Sequence, residues 1–413
     1  MSILGRQSVS NDKYEIFAYD ILYRSDSTEI YPTNLSTSAS SLAAVLNDFG
    51  FENIIGNYKG FIRVDTEFLS QEIIYTIDPK QFVLMILQTS LLDEELPAKL
   101  NELTLKGYSF GLNDIIVNQE TVRAIVSLID YVDYIKIDVT ESDSDLVDKL
   151  IKILKLKRKT IIAAKVETDE EYQEYKDKGV DYFQGYYIKR PKIIQSTSFN
   201  ASQEQVLQIL NLLQNDAETK EIVEALEHNH ALTLKLMQFI NSSFFSFRTQ
   251  VSSISQIINL LGRSALSNWL LLFMATGQNK NKQTNHPLLL MVINRTEIMT
   301  GLLRLVKPDA SQSDKDTAYL VGMLSLIHLL FEIEHREFLH KLRVTDEIEE
   351  AMFEATGFFG QLLVLTRFIE NAETQHLYEY IEKYNVNMDD LNNLVTQAMI
   401  RVNTFDEMIK ESF

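Results

Sequence analysis

Cysteine is absent from all 413 residues of the chain. That excludes disulfides, thiolate zinc sites and a cysteine nucleophile, and makes a reducing interior the simplest setting. Basic residues are scarce as well: 39 Lys and Arg stand against 58 Asp and Glu, a formal charge of −19. Such a field opposes non-specific attraction to nucleic-acid phosphates or anionic lipid. Long apolar runs are missing. WLLLFMA and PLLLMVI are far shorter than the roughly 20 residues a spanning helix needs, and MSILGRQSVSNDKYE has no apolar stretch of signal-peptide length. A cytoplasmic protein with neither nucleic acid nor membrane as partner is expected. Glycine and proline number only 14 and 6, and 45% of residues are hydrophobic, which is the composition of a globular protein.

Familiar catalytic signatures are also lacking. The chain has no phosphate-cradling GxxxxGKS/T, no GxGxxG after a strand, no HExxH and no GxSxG. Its seven histidines, His228, His230, His286, His328, His335, His340 and His376, all lie in the second half. His228 and His230 are two apart, about 200° around a helix, which sends them away from a shared metal. The single tryptophan, Trp269, falls in an apolar helical run and reads as core.

What is present divides into two patterns, as a chain of this length predicts. From Tyr14 to Ile194, β-rich runs (YEIFAYDILY, GFIRVD, FVLMILQ, GYSFGLN, DYIKID, TIIAAKV, VDYFQG) alternate with helical ones such as SASSLAAVLNDFGFENII and SDLVDKLIKILKLK. Strands spaced by helices imply right-handed crossovers and a parallel sheet, and seven such units suggest a closed βα barrel. Chemistry in such barrels sits where strands end. Asp20, Arg63, Met85, Asn113, Asp114, Lys136, Asp138, Ala164, Glu167 and Gln184 all fall at or near strand C-termini, and should line one mouth. KRPKIIQSTSFNASQE breaks the periodicity and places a joint near residue 197. Beyond it every segment has apolar residues at three- and four-residue intervals, so an all-α domain is expected. The fold class is therefore α/β plus all-α: residues 1–197 as a βα (TIM-like) barrel, and 198–413 as a helical domain.

DYFQGYYIKRP, DYIKID, AAKVET and GLND, in their order, resemble the EAL domain of bacterial cyclic-di-GMP phosphodiesterases. LMQFINSSFF, SSISQIINLLG, INRTEI, GMLSLI and IEEAMFEATGFFGQLL resemble an HDOD domain, a helical relative of HD phosphohydrolases. Together they resemble the EAL-HDOD, or YuxH-like, signalling proteins. The HD family needs a His-Asp doublet plus further His and Asp ligands; where the doublet would fall, this chain has Ser325-Leu326, and HDOD domains characteristically lack the doublet.

An active EAL enzyme, the resemblance implies, hydrolyses cyclic-di-GMP with two Mg²⁺ or Mn²⁺ ions held by carboxylates and an Asn, since hard cations want oxygen ligands. Carried over by position, the Glu-Ala-Leu motif is DIL here, so Asp20 replaces Glu and is about one methylene shorter. Arg24 is retained. Arg63 stands where a metal-binding Asn is expected, Met85 where a Glu is, and Asn113-Asp114 where two Asp are. Lys136 keeps the catalytic lysine, Asp138 follows it, Ala164 replaces a Glu, and Glu167 and Gln184 remain. Met85 offers a soft thioether and Ala164 nothing, while Arg63 brings a fixed charge. Repulsion between that charge and a divalent ion at 4 Å is roughly twice the ~4 kcal/mol of a unit pair at an effective dielectric near 20. Arg63 is expected instead to pair with Asp20, Asp114 or Glu167.

The function expected on these grounds is a degenerate phosphodiesterase, inactive and without cofactor, that signals through contacts with other proteins in cyclic-di-GMP-linked control of motility or biofilm. Two alternatives stand beside it. One is a non-hydrolysing cyclic-di-GMP receptor using Arg24, Lys136, Glu167 and Gln184. The other is a residual phosphodiesterase using Asp114, Glu167 and Lys136 with Mg²⁺ or Mn²⁺. The resemblance also implies a homodimer as one arrangement.

Overall fold

The computed structural model describes residues 2–25, 51–185, 201–214, 217–229, 232–233, 236–237, 253–276, 286–330, 335–342, 344–371 and 373–412. The chain forms two compact units. One comprises Met1–Arg190, Asn285–Pro287 and Leu365–Asn403, and the other Pro191–Thr284, Leu288–Val364 and Thr404–Phe413. The joint expected near residue 197 lies outside the described residues.

The first unit is a closed barrel of β1 (Ser2–Ser10), β2 (Ile16–Ser25), β3 (Lys59–Val64), β4 (Phe82–Leu87), β5 (Ser109–Ile115), β6 (Tyr134–Asp138), β7 (Thr160–Ala164) and β8 (Tyr182–Gln184), paired in chain order. From β2 to β8 every neighbouring pair is parallel. β1 runs antiparallel to both β2 and β8 and closes the ring. The sequence predicts seven strands, and β1 is an eighth. SILGRQSVS carries small and polar residues where a parallel barrel strand carries a branched apolar run. What holds β1 is its long ladder with β2, from Ser2↔Ser25 to Ser10↔Ile16. In the turn between them, Asn11 accepts hydrogen bonds from the backbone N–H groups of Lys13 and Glu15, both at 2.9 Å, as Asn does in tight turns.

Helices α1 (Phe51–Ile55), α2 (Thr66–Leu69), α3 (Leu96–Thr104), α4 (Gln119–Leu128), α5 (Ser144–Leu156) and α6 (Asp169–Asp177) fall between the strands. α5 shows why these segments are helical. Val147, Leu150, Ile151 and Leu154 recur at helical spacing and are buried, and the Asp143 side chain caps the N-terminus by accepting from the Leu146 N–H. Burial of each large side chain contributes about 1.5–3 kcal/mol. Of the helix expected over SASSLAAVLNDFGFENII, only its end, α1, lies in the described residues.

Alternation along the strands sorts the barrel interior into layers. Phe17, an extra residue in β2 at its register shift with β1, stacks on Tyr182 at 4.1 Å and meets Phe61 and Tyr134, forming an aromatic floor. Val9, Ala18, Val83, Met85 and Ile162 form a buried apolar cluster with Phe61. Two residues further along the same strand faces come Asp20, Arg63, Asn113, Lys136 and Gln184, so the polar groups are gathered in one layer.

From residue 201 onward every described element is helical: α7 (Ala201–Gln214), α8 (Thr219–Glu227), α9 (Ile254–Thr276), α10 (His286–Val306), α11 (Gln312–Leu330), α12 (His335–Leu342), α13 (Asp346–Phe353), α14 (Gly357–Glu370), α15 (Thr374–Tyr384) and α16 (Met388–Ser412). The barrel followed by helices matches the expected fold class. Two long helical runs are interrupted by left-handed residues: α9 kinks at Gly262 (φ 78°), and Ala355 (φ 55°) and Gly357 (φ 68°) separate α13 from α14.

One glycine is fixed by close approach. Gly185 ends the β8 segment at φ 154°, and a Cβ there would sit 2.1 Å from the Val166 carbonyl oxygen. Gly185→Ala is expected to lower unfolding free energy by about 2 kcal/mol or more, measured as a fall in the urea midpoint at unchanged slope.

Candidate functional site

Asp20 is completely buried. Its Oδ2 accepts from Lys136 Nζ at 2.5 Å, from Arg63 Nη2 at 3.0 Å and from Gln184 Nε2 at 3.1 Å. Three donors therefore reach one oxygen from β6, β3 and β8. A second carboxylate completes the group: Asp114 lies 3.0 Å from Lys136 Nζ and 3.5 Å from Arg63 Nη2. Two carboxylates and two cations thus form a charge-balanced square. Asn113 donates to Asp114 at 3.0 Å and accepts weakly from Lys136 at 3.4 Å. Gln184 Nε2 is steered by Gln7 Oε1 at 2.9 Å.

Asn113 and Asp114 are adjacent, so a regular strand would point them to opposite faces. β5 avoids this by a bulge. The register with β6 jumps from Leu112↔Ile135 to Ile115↔Ile137, and Asp114 takes a left-handed conformation at φ 45°, which Asp tolerates better than most residues.

The electrostatics follow from burial. Desolvation alone would raise the Asp20 carboxyl, but the charges of Arg63 and then Lys136 outweigh it and hold it well below the ordinary carboxylate range. Arg63 is pushed further toward its charged form by Asp20 first, against burial, and then by Asp114. Beside the square, Asp138 pairs with Lys165 Nζ at 2.5 Å and accepts from Thr140 N–H at 2.9 Å and Oγ1 at 2.7 Å. Burial opposes ionisation of Asp138, while Lys165 and Thr140 lower its pKa.

Several sequence expectations need correction. Asp20 is not at the end of its strand. It is the last β2 residue in register with β3, and the antiparallel ladder with β1 carries β2 on to Ser25. Met85 does not reach the polar layer: it is fully buried in the apolar cluster, above the space left by Gly111 on the neighbouring strand. Ala164, buried at the end of β7 in register between Asp138 and Gln184, brings no polar group. Glu167 is exposed, beyond β7. Arg63 has the expected carboxylate partners in Asp20 and Asp114, and Glu167 takes no part in those pairs. Lys136 and Gln184 are buried and engaged with Asp20, and the Arg24 side chain lies outside the described residues. Gln7, Thr140 and Lys165 were missed. Gln7 sits on the unrecognised β1, and Lys165 follows a strand whose pattern gave no hint of its partner.

Among the described residues, no group of three or more His, Asp or Glu is placed to hold a metal ion. In the second unit, His328 and His335 stack with ring centroids 3.7 Å apart and planes at 8°. Parallel rings do not aim two lone pairs at one ion. Burial first, then the neighbouring His335, depress His328 to about 3. His230 lies outside the described residues. No described helix is long and apolar enough to cross a membrane.

Residues 64–191 match the family model of the EAL domain, and residues 200–345 that of the HDOD domain. The EAL match begins one residue after Arg63, so Asp20 and Arg63 precede it. The chain is 26% identical over 385 residues to Uncharacterized protein YuxH of Bacillus subtilis (strain 168), covering 89% of this chain and 90% of that protein. It is 22% identical over 402 residues to Cyclic di-GMP phosphodiesterase CdgJ of Vibrio cholerae serotype O1, covering 96% and 91%. A solved PaMucR phosphodiesterase in complex with c-di-GMP aligns with 46% of this chain and 96% of its own at 13% identity and a TM-score of 0.38.

Asp20 is ionised in the folded chain at pH values where a free Asp, with a pKa near 3.9, takes up a proton. Its depressed pKa therefore supplies stability that is complete above about pH 4 and is lost as pH falls further. Urea unfolding from pH 7 to pH 2 is expected to show that decline. Asp20→Asn, which strands Arg63 and Lys136 beside an amide, should cost about 3–5 kcal/mol at pH 7 and flatten the slope below pH 4.

Proposed function

We propose that this chain, in which an EAL domain precedes an HDOD domain, is a signalling protein of cyclic-di-GMP-linked regulation that acts by protein–protein contact without hydrolysing the nucleotide. The observation that carries the reading is the square of Asp20, Arg63, Lys136 and Asp114. Hydrolysis by a pair of divalent ions needs several hard oxygen donors and negative charge to spare. Here both carboxylates are already neutralised by fixed cations, and Met85 offers only a sulfur, packed in the apolar cluster. A divalent ion 4 Å from the Arg63 guanidinium would meet about 8 kcal/mol of repulsion at an effective dielectric near 20. Mg²⁺ or Mn²⁺ does not fit this donor set.

The same balance weakens the receptor alternative. Lys136 and Gln184 would have to leave Asp20 to reach a phosphodiester, and Lys165 would have to leave Asp138. The residual-enzyme alternative has two supports: the similarity to CdgJ along most of both chains, and Asp20 Oδ1, a buried oxygen without a hydrogen-bond partner among the described residues. With no unit of charge left over, the barrel mouth has shape but little attraction for a dianionic ligand, and partner contact through the outer surface is the role that remains.

Titration calorimetry with cyclic-di-GMP, with and without Mn²⁺, paired with a chromatographic turnover assay, distinguishes the three readings. The expected result is no heat at high micromolar nucleotide and no product. Metal-independent binding without product would establish the receptor instead, and turnover abolished by Asp114→Asn would establish the enzyme.

A further inference from the structure

We propose that β1 is a two-faced relay that ties the docking of the C-terminal helix α16 to the position of Asp20 in the barrel. Adjacent residues on a strand point to opposite faces, and β1 uses one such pair, Arg6 and Gln7, to hold two different parts of the first unit.

On the outer face, Arg6 Nη1 donates to Asn403 Oδ1 at 2.7 Å and also to the Ile54 carbonyl oxygen. Asn403 Nδ2 in turn donates to the Asn53 carbonyl oxygen at 2.9 Å. Asn53 and Ile54 belong to the last turn of α1, whose carbonyls have no acceptor role within the helix and need outside donors. Asn403 and Arg6 supply them jointly. The Arg6 guanidinium also lies 4.3 Å from the ring centroid of Tyr19, the residue preceding Asp20 on β2. Gly56 leaves just enough room: a Cβ there would be 3.2 Å from Asn403 Cγ.

On the inner face, Gln7 Oε1 accepts from Gln184 Nε2, and that same nitrogen donates to Asp20 Oδ2. β1 pairs with β2 along its length but with β8 only at Ser10↔Phe183, so on the β8 side the Gln7–Gln184 contact adds to a single pair. Released from Asn403, Arg6 loses a neutral acceptor and α1 loses a donor. β1 keeps its ladder with β2, but its Arg6–Gln7 segment is held less firmly, and Gln184 is aimed less tightly by Gln7. The third of the Asp20 donors is then the one held less firmly. The relay stands whether or not the barrel hydrolyses a nucleotide, since it concerns what holds Asp20 in place.

The test uses the full chain with Asn403→Ala, and with Asn393→Ala as a control at an exposed position of the same helix. Hydrogen exchange over Ser2–Ser10 and Phe51–Ile55 is expected to accelerate about tenfold or more in Asn403→Ala alone, and the Arg63 Nε–Hε NMR signal to shift with it. If Asn403→Ala fails to fold, Gln7→Ala provides the reciprocal reading, because coupling acts equally in both directions: exchange over residues 388–403 should rise. An Arg63 signal unmoved in Asn403→Ala, or unchanged exchange over 388–403 in Gln7→Ala, overturns the relay.

Discussion

A carboxylate sealed from water must be paired, and the barrel interior is organised around meeting that requirement for Asp20. Left alone, a buried ionised group costs several kcal/mol. Its Oδ2 is met by a guanidinium, an ammonium and an amide from three different strands. Those strands are far apart in sequence and adjacent to the same point only because the sheet closes. Closure in turn depends on β1, the strand with the least apolar content, which also carries the Gln7 that orients the amide. The charge and the topology therefore support one another: the closed ring assembles the donors, and the donors permit a charge inside the ring.

The square differs in kind from a metal site. Metal ions enter and leave, and their charge is concentrated at a point that attracts water and phosphate. Arg63 and Lys136 are tethered, so their charge is always present and is consumed by Asp20 and Asp114. The arrangement needs specific backbone work. The bulge in β5 and the left-handed Asp114 bring two consecutive side chains to the same place, a local strain that a uniform strand would not carry. Below the square, Met85 fills the space over Gly111 and closes the layer with hydrocarbon and sulfur.

The family matches and the buried charges of the barrel coincide only in part in this chain. An EAL domain model and an HDOD domain model match successive stretches, while the chemistry of the barrel rests on residues of which two, Asp20 and Arg63, precede the matched region. A fold by itself does not decide activity; the site does. The compact units do not follow simple order along the chain: residues 365–403 group with the barrel that begins the sequence, and Asn403 is hydrogen-bonded to α1 and to Arg6 of β1.

Much of this was legible in the sequence because it rests on local rules. Alternating apolar strands and amphipathic helices such as Val147–Leu154 announce a βα barrel, and three- and four-residue spacing announces the helices after residue 200. The likeness of DYIKID and FQGYY to a known pattern picked out Lys136 and Gln184, and the sign of Arg63 was enough to expect its pairing with an acid. β1 was not legible, since SILGRQSVS has no periodicity to distinguish a strand from a loop; its strand character comes from Ile16–Ser25 lying beside it. Nor could spacing reveal that Met85 joins the apolar cluster, that Glu167 stays in solvent, or that Lys165 neutralises Asp138. Residue identity fixed which charges this protein must balance. Only the closed barrel decided which partner each charge received, because a pair forms between atoms a few ångströms apart, and those distances exist only after strands distant in sequence have come together.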